Sequence, residues 1–318
     1  MDTVKNCWDR PVVGNAMWKF HQKMKRLSNT LSVWSKNKFG DIFQKVRMYE
    51  EQVHEAEEKY ILDQTNSNRS TLHELNAQYI KFLKLEDTIL KQKTQLQWFK
   101  DGDTNSKYFH SIIRGRRRKL FIHKIVTENG DWIEGENTIA QEACEHFKNI
   151  FTGEEKLINE QSLDCIPKMV NQDQNTLLNT VPSLDELKEV VFSMNPNSAA
   201  GPDGMNGFFF QKCWNIIKND FLEVLHAFFS GQMIPKYFSH SCIVLLPKVN
   251  NPNKLTEYRP ISLSNFTSKI ISKLVSNRLS HILPALISSN QSGFVKGRSI
   301  SENIMFAQEI TAHYQTNQ

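Results

Sequence analysis

Cysteine is scarce and unpaired here: Cys7, Cys144, Cys165, Cys213 and Cys242 are the only five in 318 residues. The number is odd and no C-x-x-C pair occurs, which argues against a disulfide framework or a zinc ribbon and leaves reduced thiols. Long apolar runs are missing too. No stretch approaches the about 20 apolar residues that cross a bilayer, and the opening MDTVKNCWDRP lacks the apolar core of a secretory signal. No G-x-S-x-G, H-E-x-x-H or phosphate-loop pattern is present, and no two aspartates are adjacent. Cys144 and His146 have no second pair nearby, so no metal site is expected, and the histidines are scattered. These absences predict a soluble intracellular protein of nucleus or cytoplasm, with no membrane contact.

What is present is material for a core: 39% of residues are hydrophobic and 23% charged, a globular rather than disordered balance. The net charge of +5 is a mild excess whose meaning depends on clustering. Three helices are predicted in residues 1–96. Met17, Phe20, Met24, Leu27, Leu31 and Trp34 recur every three or four residues. After a break at Phe39-Gly40-Asp41, so do Ile42, Val46, Tyr49, Val53, Ala56 and Tyr60. Thr71 and Glu74 have capping-box spacing for a third helix reaching Leu96. The stripes predict a coiled-coil-like helical hairpin, which either buries its own apolar faces or serves as a docking arm, including for self-association through residues 17–96.

Residues 97–180 change texture and are expected to form a basic connector. Aromatic residues at Trp98, Phe99, Tyr108 and Phe109 precede Arg114, Arg116, Arg117, Arg118, Lys119 and Lys124, with no acid inside the run. Cations beside aromatics suit a phosphate backbone whose bases are free to stack. A nuclear-targeting signal or a solvated charged loop uses the same residues. A small hairpin is predicted around Asn129-Gly130, then a helix over 137–151 and a polar irregular tract over 152–182. Residues 181–318 predict a helix opened by a Ser183/Glu186 capping box, helices over 207–217, 219–230 and 266–283, and a final helix. Between them comes a strand pair, a buried strand over Cys242–Leu246 and a partner around Arg259–Leu263.

Four stretches of this last segment carry a family pattern: SAAGPDG (198–204), IVLLPK (243–248), YRPISL (258–263) and QSGFVKGRSI (291–300). In this order and spacing they resemble the fingers motifs of reverse transcriptases from LINE-type (non-LTR) retrotransposons. Gln97–His110 and Trp34–Phe43 resemble the segment that precedes the polymerase in plant elements of that class. The resemblance implies an α+β, predominantly helical fold: an N-terminal helical hairpin plus an incomplete fingers subdomain, with an endonuclease before residue 1 and palm and thumb after residue 318.

It further implies that Lys248 and Arg259 contact triphosphate oxygens, against the alternative of two exposed hairpin cations that keep an edge soluble. Gln291, Phe294, Gly297 and Arg298 would border template and nucleotide, against the alternative of a glycine-shaped turn before a helix opened by a Ser299/Glu302 capping box. Gly201 and Gly204 are expected to set backbone geometry. The family's polymerase uses Mg2+ held by palm aspartates. After Gly204 the sole aspartate here is Asp220, outside any matching motif. The expectation is therefore a truncated RNA-directed DNA polymerase with no catalytic residue, metal site or cofactor in this chain. It would bind RNA or DNA at most, with a non-catalytic helical interaction protein as the competing role. A fingers half without its palm should leave Ile270, Ile271, Leu274 and Leu279 exposed.

Overall fold

The computed structural model describes residues 1–94, 106–153, 168–293 and 295–316. The expected turn at Gln97–Asp103, the middle of the polar tract, Phe294 and the side chains of Tyr108 and Phe109 lie outside the described residues. In chain order come α1 (Asp2–Trp8), α2 (Ala16–Phe39), α3 (Ile42–Leu62), α4 (Asn66–Thr94), α5 (Ser106–Leu120), β1 (Lys124–Val126), β2 (Trp132–Glu134) and α6 (Glu136–Phe151). There follow α7 (Gln172–Asn179), α8 (Leu184–Ser193), α9 (Gly207–Lys212), α10 (Trp214–Phe229), α11 (Lys236–Ser239) and β3 (Ser241–Pro247). The chain continues through β4 (Tyr258–Ser264), α12 (Phe266–Leu279), α13 (Leu283–Leu286) and α14 (Ile300–Thr316). The fold is α+β and predominantly helical; among the described residues, strands form only two two-stranded sheets.

Two compact units emerge, both discontinuous in sequence. One comprises residues 27–153 and 243–261, the other residues 1–26, 154–242 and 262–318. In the first, α3 and α4 pack as a hairpin. Gly40 takes a left-handed φ of 64° after α2, and the Asp41 carboxylate then accepts the Phe43 and Gln44 N–H groups to start α3. Val46, Val53 and Ala56 of α3 and Phe82 and Leu90 of α4 are buried, and Tyr49 stacks on Phe82 at 5.3 Å. Each fully buried large side chain contributes roughly 1.5–3 kcal/mol, so the stripes hold the hairpin together. The Thr71/Glu74 capping box does not form. Thr65 caps α4 instead, accepting the Asn68 N–H, and Thr71 bonds back to the Ser67 carbonyl inside the helix.

The small hairpin forms as its turn chemistry predicts. Lys124 pairs with Glu134, Ile125 with Ile133 and Val126 with Trp132, and Gly130 sits at φ 92°. Its inner face joins α6 in a core of Ile125, Ile139 and Phe147, and Leu255 from the tip of the β3–β4 hairpin plugs the same core. Val126 N–H donates to the Asn253 carbonyl at 2.7 Å, so backbone as well as packing fixes that tip. The expectation of a buried strand at Cys242–Leu246 is corrected. Cys242, Ile243 and Leu246 are exposed, because a two-stranded ribbon offers no second sheet neighbour to cover them.

The other unit has an aromatic core. Phe20 stacks on Phe221 at 5.2 Å, Phe210 meets Phe266 at 4.9 Å, and Trp8 meets Phe20 edge-on at 5.6 Å. Helix α12 packs on α7, α8 and α11, and Ile270, Ile271 and Leu274 are buried. The expected exposure of that face is thereby corrected. Helix α7, opened by a capping box between Asn171 and Gln174, occupies part of the tract expected to be irregular and supplies some of the cover. Ser183 caps α8 by accepting the Glu186 N–H, but the Glu186 carboxylate grips the buried Arg278 guanidinium through two 2.8 Å bonds instead of closing a box. The helix break expected at residue 218 falls at Cys213.

Candidate nucleic-acid interface

The basic run is helical. Ser106–Leu120 contains no acid, and Arg117, Arg118 and Lys119 fall in its last turn, where cations meet the negative end of the helix dipole. Like charges one turn apart repel, so tertiary support matters. Helix α5 packs on α4, where His110 lies 3.9 Å from Glu86. Glu86 is buried, and this raises its carboxyl pKa; His110 and Arg47 oppose the rise. Arg114, Arg116, Arg117, Arg118 and Lys119 are all exposed.

The end of α5, the segment leading into β1 and the tip of the β3–β4 hairpin enclose a groove of about 710 Å3. Arg118, Lys119, Lys124 and Lys248 line it, and no carboxylate does. The structure thus brings Lys248 together with the end of the basic run. Lys248 donates its ammonium to the Thr256 carbonyl at 2.7 Å and its N–H to the Glu257 carbonyl at 2.8 Å. An ammonium has three donors, so two stay available. Across the tip, Glu257 accepts the Asn253 and Lys254 N–H groups, which hold its carboxyl below the usual range. Arg259 is exposed and lies outside the groove, and its guanidinium makes no hydrogen bond or ion pair with the described residues.

Sequence reasoning missed Phe121, His123 and Asn250–Asn253 as groove residues. Phe121 was the available signal, a large aromatic residue placed within two positions of the run of cations. It is 56% exposed and meets His123 edge-on at 4.6 Å.

In the other unit, the loop ending at Arg298 is held from within. The Arg298 guanidinium donates to the carbonyls of Pro284, Ile287, Ser288 and Gln291, acting as an internal brace. Gly297 has φ 86°, and Gln291 and Gly297 are exposed. The Ser299 hydroxyl accepts the Ser301 N–H at the start of α14. Gly201 earns its place by close approach: a Cβ there would sit 2.5 Å from Asn265 N and Ser264 C. Gly204 adopts φ 74°. Between them, the Asp203 carboxylate accepts the Met205 N–H at 3.0 Å, and burial raises its pKa.

Asp220 does not face an open site. Lys23 pairs with it at 2.8 Å and Trp8 donates to it at 2.6 Å. No group of three or more His, Cys, Asp or Glu side chains among the described residues is arranged to hold a metal ion. No metal-dependent step is assigned to them. No helix among the described residues is long and apolar enough to cross a membrane.

Residues 246–318, which run from the end of β3 through α14, match the family described as reverse transcriptase (RNA-dependent DNA polymerase). The chain is related to LINE-type reverse transcriptases. It is 28% identical over 220 residues, 69% of its length, to the transposon TX1 uncharacterized 149 kDa protein of Xenopus laevis. Over 179 residues, 55% of its length, it is 25% identical to the probable RNA-directed DNA polymerase from transposon BS of Drosophila melanogaster. The aligned stretches span 17% and 20% of those two proteins. The reverse transcriptase match begins two residues before Lys248, so Lys248, Arg259 and the 291–298 loop all lie within it.

Proposed function

We propose that residues 1–318 act as the nucleic-acid-holding part of a retrotransposon RNA-directed DNA polymerase and have no catalysis of their own. The observation that carries this reading is the acid-free groove, where the end of the basic helix meets Lys248 inside the reverse transcriptase match. Nucleotide addition needs the triphosphate and the strands held while a hydroxyl attacks, and protein cations supply most of that positioning. Arg259, whose guanidinium is unengaged among the described residues, has a fork ready for two phosphate oxygens; Lys248 contributes a point charge. In the other unit, Gln291 and Gly297 offer a separate contact for template or nucleotide, on a loop that Arg298 keeps in shape. Arg114, Arg116, Arg117, Arg118 and Lys119 take phosphates along the strand. The partners are RNA or DNA, in nucleus or cytoplasm.

Catalysis is assigned elsewhere because metal-dependent transfer needs paired carboxylates. Asp220, the only aspartate after Gly204, is tied to Lys23 and Trp8. The test is fluorescence anisotropy of the purified chain with a short labelled RNA and its DNA counterpart, alongside a primer-extension assay. Binding that is lost when Arg116, Arg117 and Arg118 are changed to Ala, with no extension product, is the expected result. No binding at low salt would remove the nucleic-acid role, and extension by this chain alone would overturn the assignment of catalysis.

A further inference from the structure

We infer that the groove between α5 and the β3–β4 tip is a site for an unpaired strand, in which a base stacks on Phe121 while Lys119, Lys124 and Lys248 take its flanking phosphates. This rests on the nucleic-acid reading above and specifies which form of nucleic acid the site takes.

The chemistry of the lining selects the ligand class. Four permanent cations and no carboxylate make the groove a polyanion site. A polyanion without rings would make no use of the apolar side chain beside them. Phe121 is 56% exposed at the groove, and His123 supports it edge-on at 4.6 Å. An exposed aromatic ring offers its face to a base, and only an unpaired base has a face to give. The opposite wall is the amide-rich tip Asn250–Asn253, which carries donors and acceptors suited to base edges. Asn251 is held at φ 55°, a conformation that asparagine tolerates best among residues with a side chain.

The walls are also fixed in advance. Val126 N–H to the Asn253 carbonyl and Leu255 in the Ile125–Ile139–Phe147 core fix the tip to the sheet and α6, and Lys248 on the Thr256 carbonyl closes the tip on itself. A preformed groove costs little ordering on binding. Lys124 lies 4.4 Å above the ring of Trp132, itself half-exposed, which steadies the cation beside the groove. RNA and DNA share the phosphates and bases this lining reads, so the strand's sugar is settled by the arms of the test.

The experiment uses the full chain and four fluorescent probes at one salt concentration: oligo(U), oligo(dT), and the duplex of each with its complement. Binding to a single strand about tenfold or more tighter than to the matching duplex is expected. Phe121→Ala should weaken single-strand binding about 5- to 150-fold, the range for losing one stacked base, and leave duplex binding and the unfolding midpoint unchanged. Arg114→Ala with Arg117→Ala, outside the groove, should weaken single strand and duplex alike. Equal affinity for duplex and single strand, or an unaltered affinity in Phe121→Ala, would overturn the inference while leaving the nucleic-acid role standing. Failure to bind any probe at low salt would overturn both.

Discussion

Arg278 shows how one side chain can organise a whole unit. Its guanidinium holds both Glu186 oxygens, donates to the carbonyls of Leu177, Leu178 and Thr180, and lies 4.7 Å from the ring centre of Phe229. It ties α7, α8 and α10 to α12. Arg278→Ala strands a carboxylate and three carbonyls, and should cost about 3 kcal/mol in urea unfolding; Arg278→Lys should recover only part, because an ammonium cannot fork. Asp203 gives a pH signature. Near pH 3, below the ordinary aspartate value of about 3.9, its carboxyl is neutral whether folded or unfolded, and burial carries no charge penalty. As pH rises the unfolded carboxyl ionises first, so stability falls until the folded group ionises as well. Asp203→Asn keeps an acceptor for the Met205 N–H and removes that fall. Its unfolding midpoint relative to the native protein should therefore be higher at pH 7 than at pH 3; Lys269, which favours the charged form, tempers the gain. At this scale the sequence was a good guide wherever backbone geometry was at stake. Gly201 and Gly204 were legible as structural, since tight turns and close backbone approach leave few other choices. The role of Arg298 was not, because a brace onto four carbonyls depends on how a loop folds back, and no local pattern records that.

Elements were legible in proportion to their periodicity. Helices α2, α3 and α4 follow from apolar stripes, and the β1–β2 hairpin from Asn129-Gly130. The stripes of α3 and α4 close on each other, so Leu90→Ala, which empties a fully buried site, should cost about 2–5 kcal/mol by thermal or denaturant unfolding. A loss well under 1 kcal/mol would mean that the hairpin does not carry its unit. Helices α1, α5 and α7 were not foreseen. Each lacks a long stripe: α1 is seven residues long, α7 is eight residues with no buried side chain, and α5 is dominated by cations. What makes them helices is a cap, as at Asn171, or a neighbour, as α4 is for α5. Exposure of β3 escaped prediction for a related reason. A short apolar run reads as buried, yet burial is decided by what lies alongside, and a two-stranded ribbon has little.

For the whole molecule, the chain forms two compact units, each assembled from stretches distant in sequence. Linear reading has no means of assigning the β3–β4 tip to the stretch around residues 124–151, because the link is Leu255 in a distant core and one backbone hydrogen bond. That link converts two separate expectations, a basic run and a fingers lysine, into one groove. The family itself was legible because four short motifs occur in order, and the match over residues 246–318 and the two transposon relatives agree with it. The claim on which the functional account rests is that this chain holds nucleic acid by its phosphates. Its most direct test is the slope of log affinity against log salt concentration for oligo(U). The chain should show a steep negative slope. Arg118→Ala with Lys119→Ala should flatten it by about 0.7 per lost phosphate contact, with the unfolding midpoint unchanged. A slope near zero, or one that the double substitution leaves untouched, would contradict the account.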